Sequence, residues 1–234
     1  NRGESRLVSL VGAPGVGKTR LVHELSRRAL ERGFVVLRGQ CQSYGNIPPF
    51  QPFLETLADA VELADPSQPG AAGHVIERVL ALDPGLSPHL PVYVYLLGLD
   101  HAAHPLSAEL RGQSLRRAVI RALGDILIAH ARRHPLLVIV EDWHWADEAS
   151  DALYRDLARA TEGQPIMGLL TYRSEQLSDN RRPLSHRLLN LSHFDEAGTA
   201  GLLSELLHSE QLPAGLASHV HAAASSGMGC GWRP

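Results

Sequence analysis

The chain reads RLVSLVGAPGVGKTRLVHEL from Arg6 to Leu25. Its first residues, up to Val11, form an apolar run typical of a buried strand, and apolar side chains after Thr19 recur with helical spacing. Between them lies a glycine-rich loop of the form G-x-x-x-x-G-K-T, which needs a strand before it and a helix after it. The stretch therefore predicts an α/β fold with a phosphate-binding loop at the end of its first strand.

The residue types of this loop suit a nucleotide phosphate group. Glycines let backbone N–H groups turn towards phosphate oxygens, and the N-terminus of the following helix adds a partial positive charge. Lys18 is expected to reach the β- and γ-phosphates, and the Thr19 hydroxyl to bind Mg²⁺. Lys18 is the only lysine among 22 basic residues, which indicates that this position needs a compact ammonium group that arginine cannot replace.

A second strand candidate ends in two acidic residues. The run from Leu136 to Val140 is uninterrupted and apolar, as in a parallel strand covered on both faces, and Glu141 and Asp142 follow it. One carboxylate is expected to join the Mg²⁺ shell, and the other to orient and deprotonate an attacking water. A solvated junction between strand and loop is the alternative. Asp147 is expected to cap the next helix.

An arginine follows a third strand candidate, Ile166 to Thr171. Ligands of α/β sheets bind in the crevice outside the carboxyl ends of the strands. Arg173 lies just past such an end and is therefore expected to contact the γ-phosphate of a bound nucleotide. The alternative is an ordinary surface arginine.

Helical patterns separate the strand candidates, which predicts a parallel sheet flanked by crossover helices. The region between the second and third strands, about residues 40–134, is too long for one crossover and is predicted to be a helical insertion broken by prolines. We expect one P-loop domain over residues 1–194 and the start of a helical C-terminal region over residues 195–234. The five candidates are Leu7 to Val11, Phe34 to Arg38, Leu136 to Val140, Ile166 to Thr171 and Leu188 to Leu191.

Composition disfavours several other classes of protein. A net charge of −3 and an aromatic content of 5% give neither the basic surface nor the stacking platform of a nucleic-acid binder. Cys41 and Cys230 are expected to be reduced thiols. The chain has no apolar run near the roughly 20 residues of a membrane span and no leader sequence, so we expect a cytoplasmic protein or a piece of one.

Taken together, these motifs resemble the AAA-like and STAND signalling ATPases. The closest resemblance is to the predicted-ATPase module that is fused to bacterial adenylyl or guanylyl cyclase domains and occurs in large helix-turn-helix transcriptional regulators. Besides the phosphate-binding loop, it rests on Arg38-Gly39-Gln40-Cys41, Pro49-Phe50-Gln51-Pro52-Phe53, Glu141-Asp142-Trp143-His144-Trp145-Ala146-Asp147 and Thr171-Tyr172-Arg173.

The resemblance implies a P-loop NTPase sheet with an extra strand between the two strands that carry the phosphate-site motifs. It also implies ATP and ADP as ligands, Mg²⁺ as cofactor, and a cyclase or DNA-binding output domain outside this chain; it leaves nucleotide-dependent self-association open. Among P-loop ATPases the metal-shell acid commonly comes first, which gives Glu141 to Mg²⁺ and Asp142 to the attacking water. The resemblance assigns nucleotide binding to Gly12, Ala13, Pro14, Gly15, Val16, Gly17, Lys18, Thr19 and Arg20. It assigns metal binding to Thr19, Glu141 and Asp142, and it assigns catalysis to Asp142, Glu141 and Arg173.

The end of the chain departs from the family pattern. Ser226 to Pro234 contains three glycines and no periodic apolar face, where the family continues into a helix. The ending resembles a truncation or a shifted reading frame, and the tail from about Ser225 is expected to be disordered.

Two functions fit these residues. The first is an ATP-hydrolysing regulatory module of a multidomain signal-transduction or transcription-regulatory protein. The second is a nucleotide-gated interaction switch with negligible hydrolysis. A small-molecule kinase comes third: Gly-x-Pro-Gly-x-Gly-Lys also opens nucleotide kinases, but those enzymes more often carry a glycine after the lysine and an arginine-rich lid. A GTPase is disfavoured, since the Asn-Lys-x-Asp that reads guanine is absent.

Overall fold

The computed structural model describes residues 6–43, 48–99, 102–173, 183–209 and 212–225. The chain divides into two compact units, Asn1–Asn190 and Leu191–Pro234. The glycine-rich tail that the sequence predicts to be disordered, residues 226–234, lies outside the described residues.

The first unit is built on a sheet with strand order β2-β3-β4-β1-β5. The pairs β1 with β4, β4 with β3, and β3 with β2 are parallel. All five predicted strands are confirmed, and β4 lies between β1 and β3, where the resemblance implies an extra strand. The strands are β1 (Arg6–Gly12), β2 (Val35–Gln40), β3 (Leu136–Glu141), β4 (Ile166–Tyr172) and β5 (Arg187–Leu191).

The parallel register aligns the carboxyl ends of four strands. Val11 of β1 is opposite Tyr172 of β4, and Gln40 of β2 is opposite Glu141 of β3. In the middle of the sheet Val140 is opposite Leu170. The glycine-rich loop, the acidic pair and the residues after β4 therefore lie along one edge of the sheet.

Both faces of the sheet are covered. Successive side chains of a strand point to opposite faces. Leu7 and Leu136 belong to one continuous core with helices α5 (Gly112–Arg133) and α6 (Glu148–Ala160), and their neighbours Val8 and Leu137 are buried as well. Burial on both faces is the reason why these strands read as unbroken apolar runs.

Helix α1 (Lys18–Glu31) follows the glycine-rich loop as predicted, and Val22 and Ala29 are among its buried residues. The apolar side chain of Leu21 is 43% exposed. Ser26 is buried instead, because its hydroxyl donates to the carbonyl oxygen of Val22 at 2.8 Å and so needs no water.

The region between β2 and β3 is helical, as predicted. It contains α2 (Gln51–Ala60), α3 (Ala71–Leu82), a short 3-10 helix (Pro84–His89), α4 (Leu90–Leu96) and α5. The buried Tyr93 joins α4 to α5, since its hydroxyl donates to the carbonyl oxygen of Ala122 at 2.8 Å.

Helix α2 covers the open edge of the sheet. The strand β2 is at the end of the sheet, where unpaired N–H groups need partners. The N–H of Arg38 donates to Asp59 at 2.9 Å, and the N–H of Gln40 donates to Glu55 at 2.7 Å. Carboxylates of α2 therefore take the place of a further strand.

Asp147 caps α6, as predicted, and accepts a hydrogen bond from the N–H of Ser150 at 2.8 Å. In the second unit, Asp195 caps α7 (Glu196–Leu206) in the same manner through the N–H of Gly198 at 2.7 Å. Helix α7 packs against α8 (Leu216–Ser225). No helix in the described ranges combines the length and the apolar character that crossing a membrane requires.

The contact between β2 and α2 predicts a strict requirement for glycine at position 39. A Cβ atom on Gly39 would lie 2.0 Å from the carbonyl oxygen of Pro52. We expect Gly39→Ala to lower the free energy of unfolding by at least about 1 to 3 kcal/mol, the usual cost of overpacking. Urea denaturation followed by circular dichroism measures this change.

Gly73→Ala on α3 is the matched control, because a Cβ there meets nothing within 4 Å. This variant should be neutral or gain up to about 1 kcal/mol from higher helix propensity. Equal stability of the two variants would contradict the close packing of α2 on β2.

Candidate active site

The glycine-rich loop connects β1 to α1 through backbone conformations that require glycine. Gly15 has φ 76° and Gly17 has φ 97°, a region that side-chain-bearing residues rarely adopt. The N–H of Val16 closes the turn on the carbonyl oxygen of Ala13 at 3.5 Å. The glycines of the motif are therefore needed for the path of the chain.

The start of α1 is open to an anion. Within the described residues 6–43, no side chain caps this helix and its first turn contains no acidic residue. The first N–H groups of a helix have no partner inside the helix, and together with the helix dipole they attract negative charge. Thr19 and Arg20 lie in this first turn with exposed side chains. The predicted binding residues thus surround a helix N-terminus of the kind that binds phosphate.

The Lys18 ammonium group folds back over its own loop. Its Nζ donates to the carbonyl oxygens of Gly12 at 2.8 Å and Ala13 at 2.9 Å. Burial lowers the pKa of Lys18, the charge of Arg173 lowers it further, and Asp142 opposes both effects. Lys18 and Arg173 are thus two interacting cations at this edge, and a bound anion would relieve their repulsion.

Asp142 lies directly after β3 in a left-handed conformation, with φ 56° and ψ 39°. This region is unusual for a residue with a side chain. The N–H of Asp142 donates to the hydroxyl of Thr171 at 3.2 Å, and Oδ2 of Asp142 accepts from the side-chain amide of Gln40 at 3.2 Å. Residues at the ends of β4 and β2 thus hold Asp142 in place.

The two acidic residues have different surroundings. Asp142 interacts electrostatically with Lys18 and with His144. Among the described residues, the Glu141 carboxylate makes neither a hydrogen bond nor an ion pair, while its backbone oxygen accepts from the N–H of Cys41 at 2.9 Å. Of the two acids, the structure brings Asp142 to Lys18.

Arg173 lies immediately after β4, between the strand of the glycine-rich loop and the strand of the acidic pair. Its side chain is half-buried. Its charge lowers the pKa of both Lys18 and His144, although burial is the larger cause at each group. The structure therefore brings together three of the predicted site residues, Lys18, Asp142 and Arg173.

Residues that the sequence reasoning did not assign support this arrangement. Gln40 and Thr171 hold Asp142, and both are polar residues at the carboxyl ends of parallel strands, a signal that the sequence contains. Trp143 is 1% exposed and packs between Phe53, with ring centroids 6.3 Å apart, and Tyr154, at 5.1 Å. This aromatic cluster anchors the turn after β3.

Cys41 is a buried free thiol close to the acidic residues. Burial, with smaller effects from Asp147, Asp142 and Glu55, raises its pKa to about 12. A thiol with such a pKa stays protonated near neutral pH and is a poor nucleophile. The predicted reduced state is confirmed for Cys41, whereas Cys230 lies outside the described residues.

The donor atoms at this edge fit Mg²⁺. Thr19, Glu141 and Asp142 offer hard oxygen donors, which Mg²⁺ prefers. Among the described residues no group of three or more histidine, cysteine or acidic side chains could hold a metal ion by itself. Mg²⁺ usually keeps several waters and binds through one or two carboxylates together with phosphate oxygens, so a site of this kind suits a metal that arrives with a nucleotide.

Comparison with known proteins matches this chain to a family model and to a curated protein. A family model described as AAA ATPase domain matches residues 1–170. An uncharacterized protein of Rhizobium meliloti (strain 1021) is 32% identical over 180 residues, which cover 76% of this chain and 17% of that protein. The chain therefore spans only a small part of the length of this relative.

Three solved structures are similar in part. The structure of Drosophila ORC bound to DNA has a TM-score of 0.47 and 16% identity, over 89% of this chain and 43% of that chain. AMPPCP-bound DnaA from Aquifex aeolicus has a TM-score of 0.43 and 12% identity, over 94% and 51%. The E. coli MS115-1 HORMA:CdnC:Trip13 complex has a TM-score of 0.46 and 15% identity, over 94% and 59%.

Proposed function

Because the chain belongs to the AAA ATPase domain family, we propose that it is the ATP-binding and ATP-hydrolysing module of a larger signal-transduction or transcription-regulatory protein. One observation carries this proposal: Lys18, Asp142 and Arg173, which are far apart in sequence, interact at one edge of the sheet. A cationic group for the phosphates, an acid for the attacking water and a second cation for the γ-phosphate are the parts that phosphoryl transfer to water needs.

In the proposed binding mode, the phosphates of ATP occupy the N-terminus of α1. The ammonium group of Lys18 exchanges its two backbone oxygens, those of Gly12 and Ala13, for phosphate oxygens. Thr19 and Glu141 would hold Mg²⁺, and a bound Mg²⁺ would supply positive charge that neutralises the phosphates. The neighbouring carboxylate of Asp142 then remains free for a different task.

In the proposed hydrolysis step, Asp142 orients a water molecule and accepts its proton. Gln40 and Thr171 support this task, since both restrict Asp142 before the substrate arrives. Arg173 stabilises the negative charge that develops on the γ-phosphate oxygens. Preorganised charges of this kind act strongly because they need not reorient during the reaction.

The regulatory part of the proposal rests on the length of the curated relative and on the resemblance. A relative of which this chain covers 17% has room for many further domains. We place the output domain, a cyclase or a DNA-binding domain, outside this chain, and the whole protein in the cytoplasm, where ATP is abundant. Light scattering with and without ATP tests nucleotide-dependent self-association.

A nucleotide-gated switch with negligible hydrolysis is the second candidate. The absence of any hydrogen bond or ion pair at the Glu141 carboxylate, among the described residues, favours it, because metal-binding carboxylates are usually held by hydrogen bonds. Phosphate release with ATP alone, compared with ATP affinity from calorimetry, separates the two candidates. Tight binding without release of phosphate supports the switch.

Lys18 gives the first prediction for this site. Lys18→Ala should weaken ATP binding by about 1.5 to 3 kcal/mol, or roughly ten- to hundredfold, the scale of a lost charge-assisted hydrogen bond. Lys18→Arg should weaken ATP binding similarly, because a planar guanidinium cannot replace a compact ammonium group. Calorimetry measures both dissociation constants, and unchanged values in both variants would overturn the phosphate-binding role of the loop.

The acidic pair gives the second prediction. Asp142→Asn should retain ATP binding and lower turnover by about 10² to 10⁴, the usual contribution of a general base. Glu141→Gln should instead shift the Mg²⁺ concentration at which hydrolysis is half-maximal. If only the Asp142 variant shifts that concentration, the two roles are exchanged. If neither variant changes a hydrolysis that Lys18→Ala abolishes, the acids have only a structural role.

Arg173 gives the third prediction. Arg173→Ala should leave ADP affinity within about twofold, and should lower ATP affinity or hydrolysis, because only ATP presents the γ-phosphate. Titration with each nucleotide measures the difference. An equal loss for ADP and ATP would show that the substitution disturbs the fold rather than a γ-phosphate contact.

A further inference from the structure

His144 lies in the turn after β3, and no step proposed above uses it. Its side chain has no exposed surface, and neither ring nitrogen has a hydrogen-bond partner in the described part of the chain. Buried polar atoms without a partner are rare in folded proteins. The carboxylate of Asp142 lies close by, with its Oδ1 3.9 Å from Nδ1 of His144. The unmet hydrogen-bonding capacity of the ring thus lies next to the acid of the site.

The backbone around His144 is fixed on both sides. The N–H of Trp145 donates to the carbonyl oxygen of Asp142 at 2.9 Å, and the N–H of Ala146 donates to that of Trp143 at 2.9 Å. The side chain of Trp143 is buried in the aromatic cluster. A hydrogen bond between His144 and Asp142 therefore needs only a side-chain adjustment of about 1 Å, from 3.9 Å to the usual length.

The ring of Trp145 restricts how the side chain of His144 can move. It packs against the His144 ring with centroids 4.9 Å apart and an interplanar angle of 42°. Of the two oxygens of Asp142, Oδ2 already accepts from Gln40, which leaves Oδ1 as the acceptor beside the histidine. The contact that could join the two side chains thus runs from Nδ1–H of His144 to Oδ1 of Asp142.

We propose that His144 is a positioning residue for Asp142: with nucleotide bound, Nδ1–H of His144 donates to Oδ1 while Gln40 holds Oδ2. The carboxylate is then fixed at both oxygens, with the plane that the attacking water requires. This inference rests on the proposed function, since orientation of Asp142 affects a rate only if Asp142 acts on that water. The proposal names Nδ1, rather than Nε2, as the ring nitrogen that donates.

Three substitutions of His144 test the assignment in the 234-residue chain. His144→Phe keeps the ring and removes the N–H, and it should lower single-turnover hydrolysis about 10- to 100-fold, as loss of a carboxylate-orienting partner does. His144→Asn places an amide nitrogen at the same distance along the side chain as Nδ1, so it should recover most of the rate. His144→Gln places the amide nitrogen where Nε2 lies, so this variant should not recover the hydrolysis rate. ATP affinity should stay within twofold throughout.

His130→Phe is the matched control. His130 is also partly buried, but its Nε2 bonds to the carbonyl oxygen of Ala60 in the insertion. This variant should leave the hydrolysis rate unchanged, so it measures the general cost of replacing a histidine of the fold. A rate loss equal to that of His144→Phe, or a recovery by His144→Gln rather than His144→Asn, would overturn the proposal.

A double-mutant cycle tests whether His144 acts through Asp142. In an Asp142→Asn background, His144→Phe should have little further effect, because contacting residues that act as one unit are not additive. If His144→Phe lowers the rate by the same factor in both backgrounds, the histidine acts elsewhere and the proposal fails.

A spectroscopic measurement tests for the hydrogen bond between His144 and Asp142 without requiring hydrolysis. With Mg²⁺ and a non-hydrolysable ATP analogue, the ¹⁵N chemical shifts of the His144 ring should show a protonated Nδ1 that Asp142→Asn perturbs. A ring protonated at Nε2 alone contradicts the proposal. If the wild-type chain binds ATP and does not hydrolyse it, the proposed function fails, whereas the ring shifts still decide whether His144 binds Asp142.

Discussion

Parallel pairing of β1, β4, β3 and β2 is the constraint on which the site depends. In a parallel sheet every strand presents its carboxyl end at the same edge, so residues that follow different strands become neighbours. The register places the end of β1 beside the end of β4, and the ends of β3 and β2 beside each other. Lys18, Asp142 and Arg173 thus meet although long stretches of sequence separate them.

The insertion between β2 and β3 also contributes to this edge. Its first helix, α2, satisfies the outer N–H groups of β2 through Asp59 and Glu55, and its carbonyl oxygen at Pro52 approaches Gly39 too closely for any side chain there. The next residue, Gln40, donates to Asp142. The insertion therefore reaches the acid of the site through one strand end, which gives a physical route by which a change in the helical region could alter the site.

The turn after β3 contains residues that are held in place and one buried side chain whose hydrogen bonding is incomplete. Trp143 is held in an aromatic cluster, and the N–H of Asp142 is held by Thr171. His144, by contrast, is buried with both ring nitrogens unpartnered in the described part of the chain. Lys18 interacts electrostatically with Asp142 and also with Arg173, a second cation. Incomplete hydrogen bonding and like charges at one place are features that ligand binding can resolve.

The sequence by itself predicted the strands, the glycine-rich loop and the helical insertion, because apolar periodicity and motif spacing are local properties of the chain. It also nominated Lys18, Glu141, Asp142 and Arg173 as candidate site residues. Only the tertiary structure decided which acid approaches Lys18: Asp142 interacts electrostatically with Lys18, and contacts from the ends of β4 and β2 hold Asp142 in place. It also decided the parts played by Gln40, Thr171 and His144. Their contacts depend on strand order and on register, and both are set by packing between residues that are distant along the chain.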